Sequence, residues 1–323
     1  MNERKLFWSP AVTWEAKDGV LKAAAFTIRT SFARLFPQFY FICAAGATEQ
    51  EILAGFPAEE PDLLLRFIRK LRSAHILVSG IQSPDEIFYA QKKLFQSETQ
   101  YETGYFMDAT HVGEFREKAY ARQSRTGDIA VKLPQTEVSE LFAQRRSTRK
   151  FDGSRIPFSD FAALMNLMMR KPDGSFYYGS AGALYPIDCY VSVYHDRVEN
   201  VANGLYLLDP MRGGLIPADS GVSLEQDLHF AGNRNIYSGS AFSLYFVYNA
   251  EYSMPKYGSR SYYYAMLDAG ILIGTLNLAA AEHGMGCCSI GDLNFRKAEA
   301  AFHLNEYQQY LHCMIFGKPA AEK

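Results

Sequence analysis

Hydrophobic positions divide the chain into three stretches of different period. In residues 1–95, strand-like runs at 12–14 and 21–28 flank the turn residues Lys17, Asp18 and Gly19. Helical spacing follows. Thr48 and Glu51 form a capping box for a short helix ending near Gly55. Asp62 is placed to cap the next helix. There Leu63, Leu64, Phe67, Ile68 and Leu71 share one face, and Arg66, Arg69, Lys70 and Arg72 the other. Residues 76–78 read as a short strand. Helix, helix, strand in this order predicts a small winged-helix-like unit, whose basic face suits DNA, a peptide or plain solvent.

Residues 96–140 are polar and poorly periodic, with breakers at Thr126-Gly127-Asp128 and Leu133-Pro134, and read as a linker or an arm over the second domain. From 141 to 323, helices and strands alternate. Ser159 is placed to cap a helix carrying Phe161, Leu164, Leu167 and Met168. Residues 189–194 and 243–248 read as strands, and 204–208 with 214–216 as a hairpin. A helix from about Arg260 to His283 is apolar nearly all round and stops at Gly284. Residues 313–316 read as a closing edge or exchanged strand. The expectation is an α+β domain in which a sheet packs around one central buried helix.

Composition narrows the functions. With 323 residues, 48% of them hydrophobic, the chain can bury two cores. A formal net charge of −2 argues against a general binder of nucleic acid or of membrane surfaces. The five cysteines are scattered without a CxxC pair, so neither a disulfide framework nor a zinc site is indicated, and a reducing cytoplasm is the plain reading. The longest apolar stretch, 269–281, is too short for a membrane span and reads as core.

Three segments carry candidate chemistry. Lys256 and Tyr257 set two proton-moving groups side by side ahead of Gly258 and the apolar helix. Arg145, Arg146, Ser147 and Arg149 offer cations and a hydroxyl. In an extended segment Arg145, Ser147 and Arg149 face one way, as a phosphate site would need, or form a solvated basic run. Ser180, Ala181, Gly182 and Ala183 make a small-residue loop before Tyr185-Pro186, either a tight turn or a backbone open to a flat ligand. Residues 284–291 form a further glycine-spaced loop. The adjacent Cys287 and Cys288 read as packing residues. Nothing matches a hydrolase elbow, a metal-ligand spacing or a dinucleotide fingerprint.

Taken in order, these segments resemble the nitroreductase-type flavin oxidoreductases, and within them the SagB-type dehydrogenases, azoline oxidases of thiazole- and oxazole-containing peptides. Residues 145–151 resemble the superfamily's N-terminal flavin motif. Residues 180–186 are similar to the branch's S-G-G-A-L-Y-P segment, with Ala181 for the first glycine. Residues 256–260 with 265–270 resemble its K-Y-x-x-R-G-Y-R-x-A-L-x-E-x-G signature, and residues 289–291 its P-I-G-G loop. Ser261 and Tyr263 stand where glycine and arginine would be, Asp268 replaces glutamate, and Gly274-Thr275 replace Gln-Asn.

The resemblance implies noncovalent FMN in a homodimer with the flavin at the subunit interface. Arg145, Arg146, Ser147 and Arg149 would hold its phosphate and ribityl chain, with Arg260 assisting. Ser180, Gly182 and Ala183 would lie along it, and Ile290 and Gly291 would offer backbone contacts to the ring. Lys256 and Tyr257 would be catalytic. The implied substrate is a ribosomally made precursor peptide bearing thiazoline or oxazoline rings, and the implied partner a YcaO-type cyclodehydratase synthetase complex. The N-terminal unit would bind leader peptide or partner. The alternatives are a flavoenzyme of this fold acting on another small molecule, and a non-catalytic scaffold subunit.

Overall fold

A computed structural model describes residues 4–17, 20–23, 26–28, 30–84, 86–87, 104–123, 126–219, 224 and 228–321. Among the described residues the N-terminal part holds β1 (Phe7–Trp8), β2 (Trp14–Lys17), β3 (Val20–Ala23), β4 (Phe26–Ile28) and, after its helices, β5 (Leu77–Val78). β2, β3 and β4 form an antiparallel sheet, and β1 pairs separately with β5. The single run expected over 21–28 is thus two strands, because Ile28 folds back opposite Leu21. Asp18 and Gly19 of the expected turn lie outside the described residues, as do 88–103 of the expected boundary and linker.

The capping box forms as read. Glu51 N–H donates to Thr48 Oγ1 at 3.1 Å, and Thr48 N–H donates to Glu51 Oε2 at 2.8 Å. The next helix, Pro61–Ser73, starts differently. Glu60 is its N-cap and Pro61 its first residue, so Asp62 sits in the first turn and does not cap. Leu64, Ile68 and Leu71 are buried against Phe36, Phe39 and Ile52 in a core confined to residues 6–77. Residues 126–140 are exposed throughout. A helix at Ala109–Gln123 escaped the sequence reading because it buries no residue, and so shows no apolar face.

Six further strands build the main sheet: β6 (Ile187–Val193), β7 (Gly204–Asp209), β8 (Gly214–Asp219), β9 (Phe242–Asn249), β10 (Gly286–Ile290) and β11 (Gln308–Gly317). Their order is β10-β11-β9-β6-β7-β8, and every neighbouring pair is antiparallel. Both faces are covered. Along β9, Phe242, Leu244, Phe246 and Tyr248 enter one core, while Tyr245 and Val247 enter the other. The first core holds the central helix, Arg260–Glu282, and the helix Phe158–Asn166, which begins at Pro157 without a cap from Ser159.

Two expectations change here. β11 is neither edge nor exchanged: Cys313, Met314, Ile315 and Phe316 are wholly buried between β10 and β9. The glycine-spaced loop at 284–291 is mostly β10, an edge strand. Gly284, with φ 61°, ends the helix as expected, and Met285 N–H returns to Ala280 O at 2.8 Å. The central helix is long and apolar enough to cross a membrane by composition, but here it packs on the sheet, with Ser261 and Asp268 among its buried residues.

His229 is wholly buried, and neither ring nitrogen has a hydrogen-bond partner among the described residues. Burial lowers its pKa to about 4. The unfolded chain takes up this proton near pH 6.5 and the folded chain only near 4, so stability falls as pH drops through that window and levels below it. The loss should reach about 3 kcal/mol. Urea titrations of wild type and His229→Leu between pH 7 and 4 should diverge over this window, with the variant the less acid-sensitive.

Candidate functional site

The site begins where β9 ends. Asn249 caps the helix Ala250–Tyr257, its side chain accepting from Glu251 N–H at 3.2 Å. Lys256 and Tyr257, read as turn residues, are the last two of this helix. Gly258, at φ 56° and ψ −144°, breaks it and allows the central helix to start two residues later. Ser261 is wholly buried. Its hydroxyl pairs with Tyr248 Oη at 2.7 Å and with Ser253, latching both helices to β9. The departure at Ser261 therefore has a structural use.

The loop at 180–185 is tied to the central helix by Asp268. Ser180 Oγ donates to Asp268 Oδ2 at 2.6 Å, Ala181 N–H donates to Oδ1 at 3.0 Å, and Tyr185 N–H donates to Ser180 Oγ at 2.9 Å. Gly182, Ala183 and Tyr185 have φ of 62°, 55° and 48°, the left-handed region that two of these residue types rarely adopt. At Gly182 the constraint is also spatial. A Cβ there would lie 2.7 Å from Lys256 Nζ and overlap Tyr257 Oη. The tips of Lys256 and Tyr257 thus meet the backbone of the small-residue loop. Lys256 Nζ stands 5.0 Å from the centroid of the Tyr257 ring, which packs edge-on against Tyr264. Lys256 is exposed and Tyr257 half-buried.

The basic segment lies against β10. Thr148 N–H donates to Cys287 O at 2.8 Å, Ser147 bridges Cys287 in parallel, and Thr148 fills the space a side chain at Gly286 would take. Arg146 and Thr148 line a cavity of about 490 Å3 with Asn277 and Met285, which Arg145, Ser147 and Arg149 do not line. Burial pushes the Cys287 thiol up to about 12 while Arg145 pulls it down. Burial likewise raises Cys288, opposed by Arg149. Both thiols are buried on opposite faces of the sheet, as packing residues would be.

One chain gathers the site residues into two groups. Ser180, Gly182, Ala183, Lys256 and Tyr257 meet near Asp268. Arg145, Arg146, Ser147 and Arg149 lie by β10, near Asn277, which accepts from Cys287 Sγ at 3.1 Å. Between Asp268 and Asn277 the helix rises about 14 Å. Arg260, at the helix start, is about 25 Å along the axis from Asn277, so within one chain it stands apart from Arg145 and Arg149. Ile290 ends β10 with its side chain in the second core, and the exposed Gly291 follows. The sequence reading missed what Asp268 does. A lone carboxyl inside an apolar helix was the available signal, since burial there demands partners.

The family model for the nitroreductase family matches residues 142–318, and the chain belongs to that family. A Methanocaldococcus jannaschii protein that carries the nitroreductase name is 27% identical over 190 residues, covering 57% of this chain and 89% of its own. Among solved structures, a chain of the E. coli microcin synthetase McbBCD complex, with truncated pro-MccB17 bound, gives a TM-score of 0.52 at 17% identity, covering 83% of this chain and 98% of that one. A Ralstonia eutropha protein with the nitroreductase name gives 0.47 at 22% identity over 59% of this chain and 89% of its own. The α+β architecture is the nitroreductase fold.

Asp268→Ala leaves Ser180 and the Ala181 N–H without their acceptor. We expect a loss of about 2–4 kcal/mol in denaturant unfolding. Proteolysis should cut the 180–185 loop earlier than in wild type.

Proposed function

We propose that the chain is an FMN-dependent dehydrogenase that oxidises thiazoline or oxazoline rings of a ribosomally made precursor peptide to thiazoles or oxazoles. The observation that carries this reading is the convergence of Lys256 Nζ and Tyr257 Oη on Gly182. A backbone without a side chain, flanked by two proton-carrying groups, suits a flat ring lying against it. The residues fit FMN. Arg145, Ser147 and Arg149 offer a phosphate its charge and donors, Arg146 and Arg260 add cations, Ser180, Gly182 and Ala183 give an open backbone, and Ile290 ends an edge strand with Gly291 just after it.

FMN, when bound, supplies the two-electron acceptor. The chain's own residues do the rest. Lys256 takes the proton released from the ring carbon, and Tyr257 hydrogen-bonds or relays it. Asp268 keeps the loop at the distance this requires. The likeness to the microcin synthetase chain supports a peptide substrate and a synthetase complex, because it spans more than the 142–318 segment, and we read a cyclodehydratase as the partner in such a complex. We assign leader-peptide or partner binding to residues 1–95, a linker to 96–140 and the oxidoreductase domain to 141–323. A homodimer is supported by the central helix, which leaves Tyr263, Leu267 and Ile271 exposed in one stripe.

The purified protein should be yellow and release FMN on denaturation. Lys256→Ala and Tyr257→Phe should retain FMN yet lose about 10²–10⁴-fold in single-turnover flavin reduction by an azoline peptide. Wild-type reduction rates in both variants, or colourless protein that stays empty in excess FMN, would sink this reading. Replacing Leu267 and Ile271 together by Glu should convert a dimer to a monomer in sedimentation. An unchanged dimer would remove the stripe from the interface.

A further inference from the structure

The main sheet splays between β6 and β7. β6 pairs with β9 down to Ile187, but its pairing with β7 stops at Tyr190 opposite Leu207, although β7 runs on to Asp209. A cavity of about 820 Å3 opens in the splay. Phe176, Tyr178 and Tyr185 form one wall. The Phe176 and Tyr185 ring centroids are 4.0 Å apart, and Tyr178 meets Tyr185 edge-on at 5.3 Å. Leu208 and Leu272 add apolar surface, and Asp188 adds a polar group. Asp188 Oδ2 accepts from Asn249 Nδ2 at 3.0 Å and Gln308 Nε2 at 2.7 Å, and burial raises its pKa.

Two connections join this cavity to the Lys256–Tyr257 cluster. Ala183, directly after Gly182, lines it together with Leu184 and Tyr185, and Tyr252 lines it one helical turn before Lys256. Tyr185 holds its left-handed backbone through the bond to Ser180, so strain is spent on keeping a wall ring in place.

We propose that this cavity is a specificity pocket for an aromatic side chain of an extended peptide, next to the ring on which Lys256 and Tyr257 act. The proposal rests on the peptide-substrate reading above. Edge-on and offset contacts are how aromatic rings recognise one another, and three rings already stand in that arrangement. Residues 187–189 of β6, ahead of Tyr190, have no strand partner on the β7 side among the described residues, and an extended backbone can occupy that edge. Asp188 gives the guest's amide N–H groups an acceptor.

The test is equilibrium fluorescence anisotropy with two fluorescein-labelled thiazoline peptides, identical except for Phe or Ala on both sides of the ring. Wild type should bind the Phe peptide about tenfold or more tightly. Ile216→Trp, at an exposed lining residue, should bring the two peptides within about twofold of each other while FMN content is unchanged. Met211→Trp, more exposed still, is the second filling variant if the first folds poorly. Equal binding of the two peptides, binding of neither, or a preference that survives both variants overturns the pocket. An aromatic preference erased by filling, in protein that oxidises neither peptide, supports the pocket and rejects the dehydrogenase reading instead.

Discussion

The Asp268 carboxyl, buried inside an otherwise apolar helix, accepts from Ser180 Oγ and from the Ala181 N–H, and through Ser180 it fixes the Tyr185 N–H. The rest of the site depends on this anchor. A carboxyl taken from water must be met by donors, and among the described residues those that Asp268 finds come from the loop at 180–181. The same bonds hold Ala183 and Tyr185 in a backbone region they would leave if released. Charge burial in the helix is thus converted into a fixed loop shape.

A second anchor, Ser261 with Tyr248 and Ser253, sets the opposite wall. It fixes the helix Ala250–Tyr257 relative to β9, and hence the reach of Lys256 and Tyr257. Gly182 sits where the two walls meet. Its missing side chain is required twice, once by φ and once by the Lys256 and Tyr257 tips. Both anchors are hydroxyl and carboxyl groups buried among apolar side chains, where a hydrogen bond is strong and an unmade one costly.

The two residue groups also explain why one chain leaves its cations apart. Arg145 and Arg149 act on Cys287 and Cys288 at the β10 edge, while Arg260 stands at the other end of the central helix. A dimer in which the exposed stripe Tyr263, Leu267 and Ile271 is covered would bring surfaces of two chains together along that same helix.

Much of this was legible in the residues. Alternation marked β6, short strand-like runs marked β7, β8 and β9, the Thr48–Glu51 pair marked its helix start, and Gly284 marked the end of the central helix, because these signals depend on neighbours a few positions away. The segments at 145–149, 180–183 and 256–257 could be picked out by residue type alone. Their meeting could not, because Ser180 and Asp268 are 88 positions apart and no local period connects them. β11 looked like an edge, since a short apolar run carries no information about how many partners it has. Lys256 and Tyr257 looked like a turn, since Pro255 and Gly258 hid a helix capped by Asn249. The sequence by itself determined which residues can carry charge, protons and tight backbone. Only the tertiary structure decided which of them share a site, because that follows from sheet order and buried hydrogen bonds between distant segments.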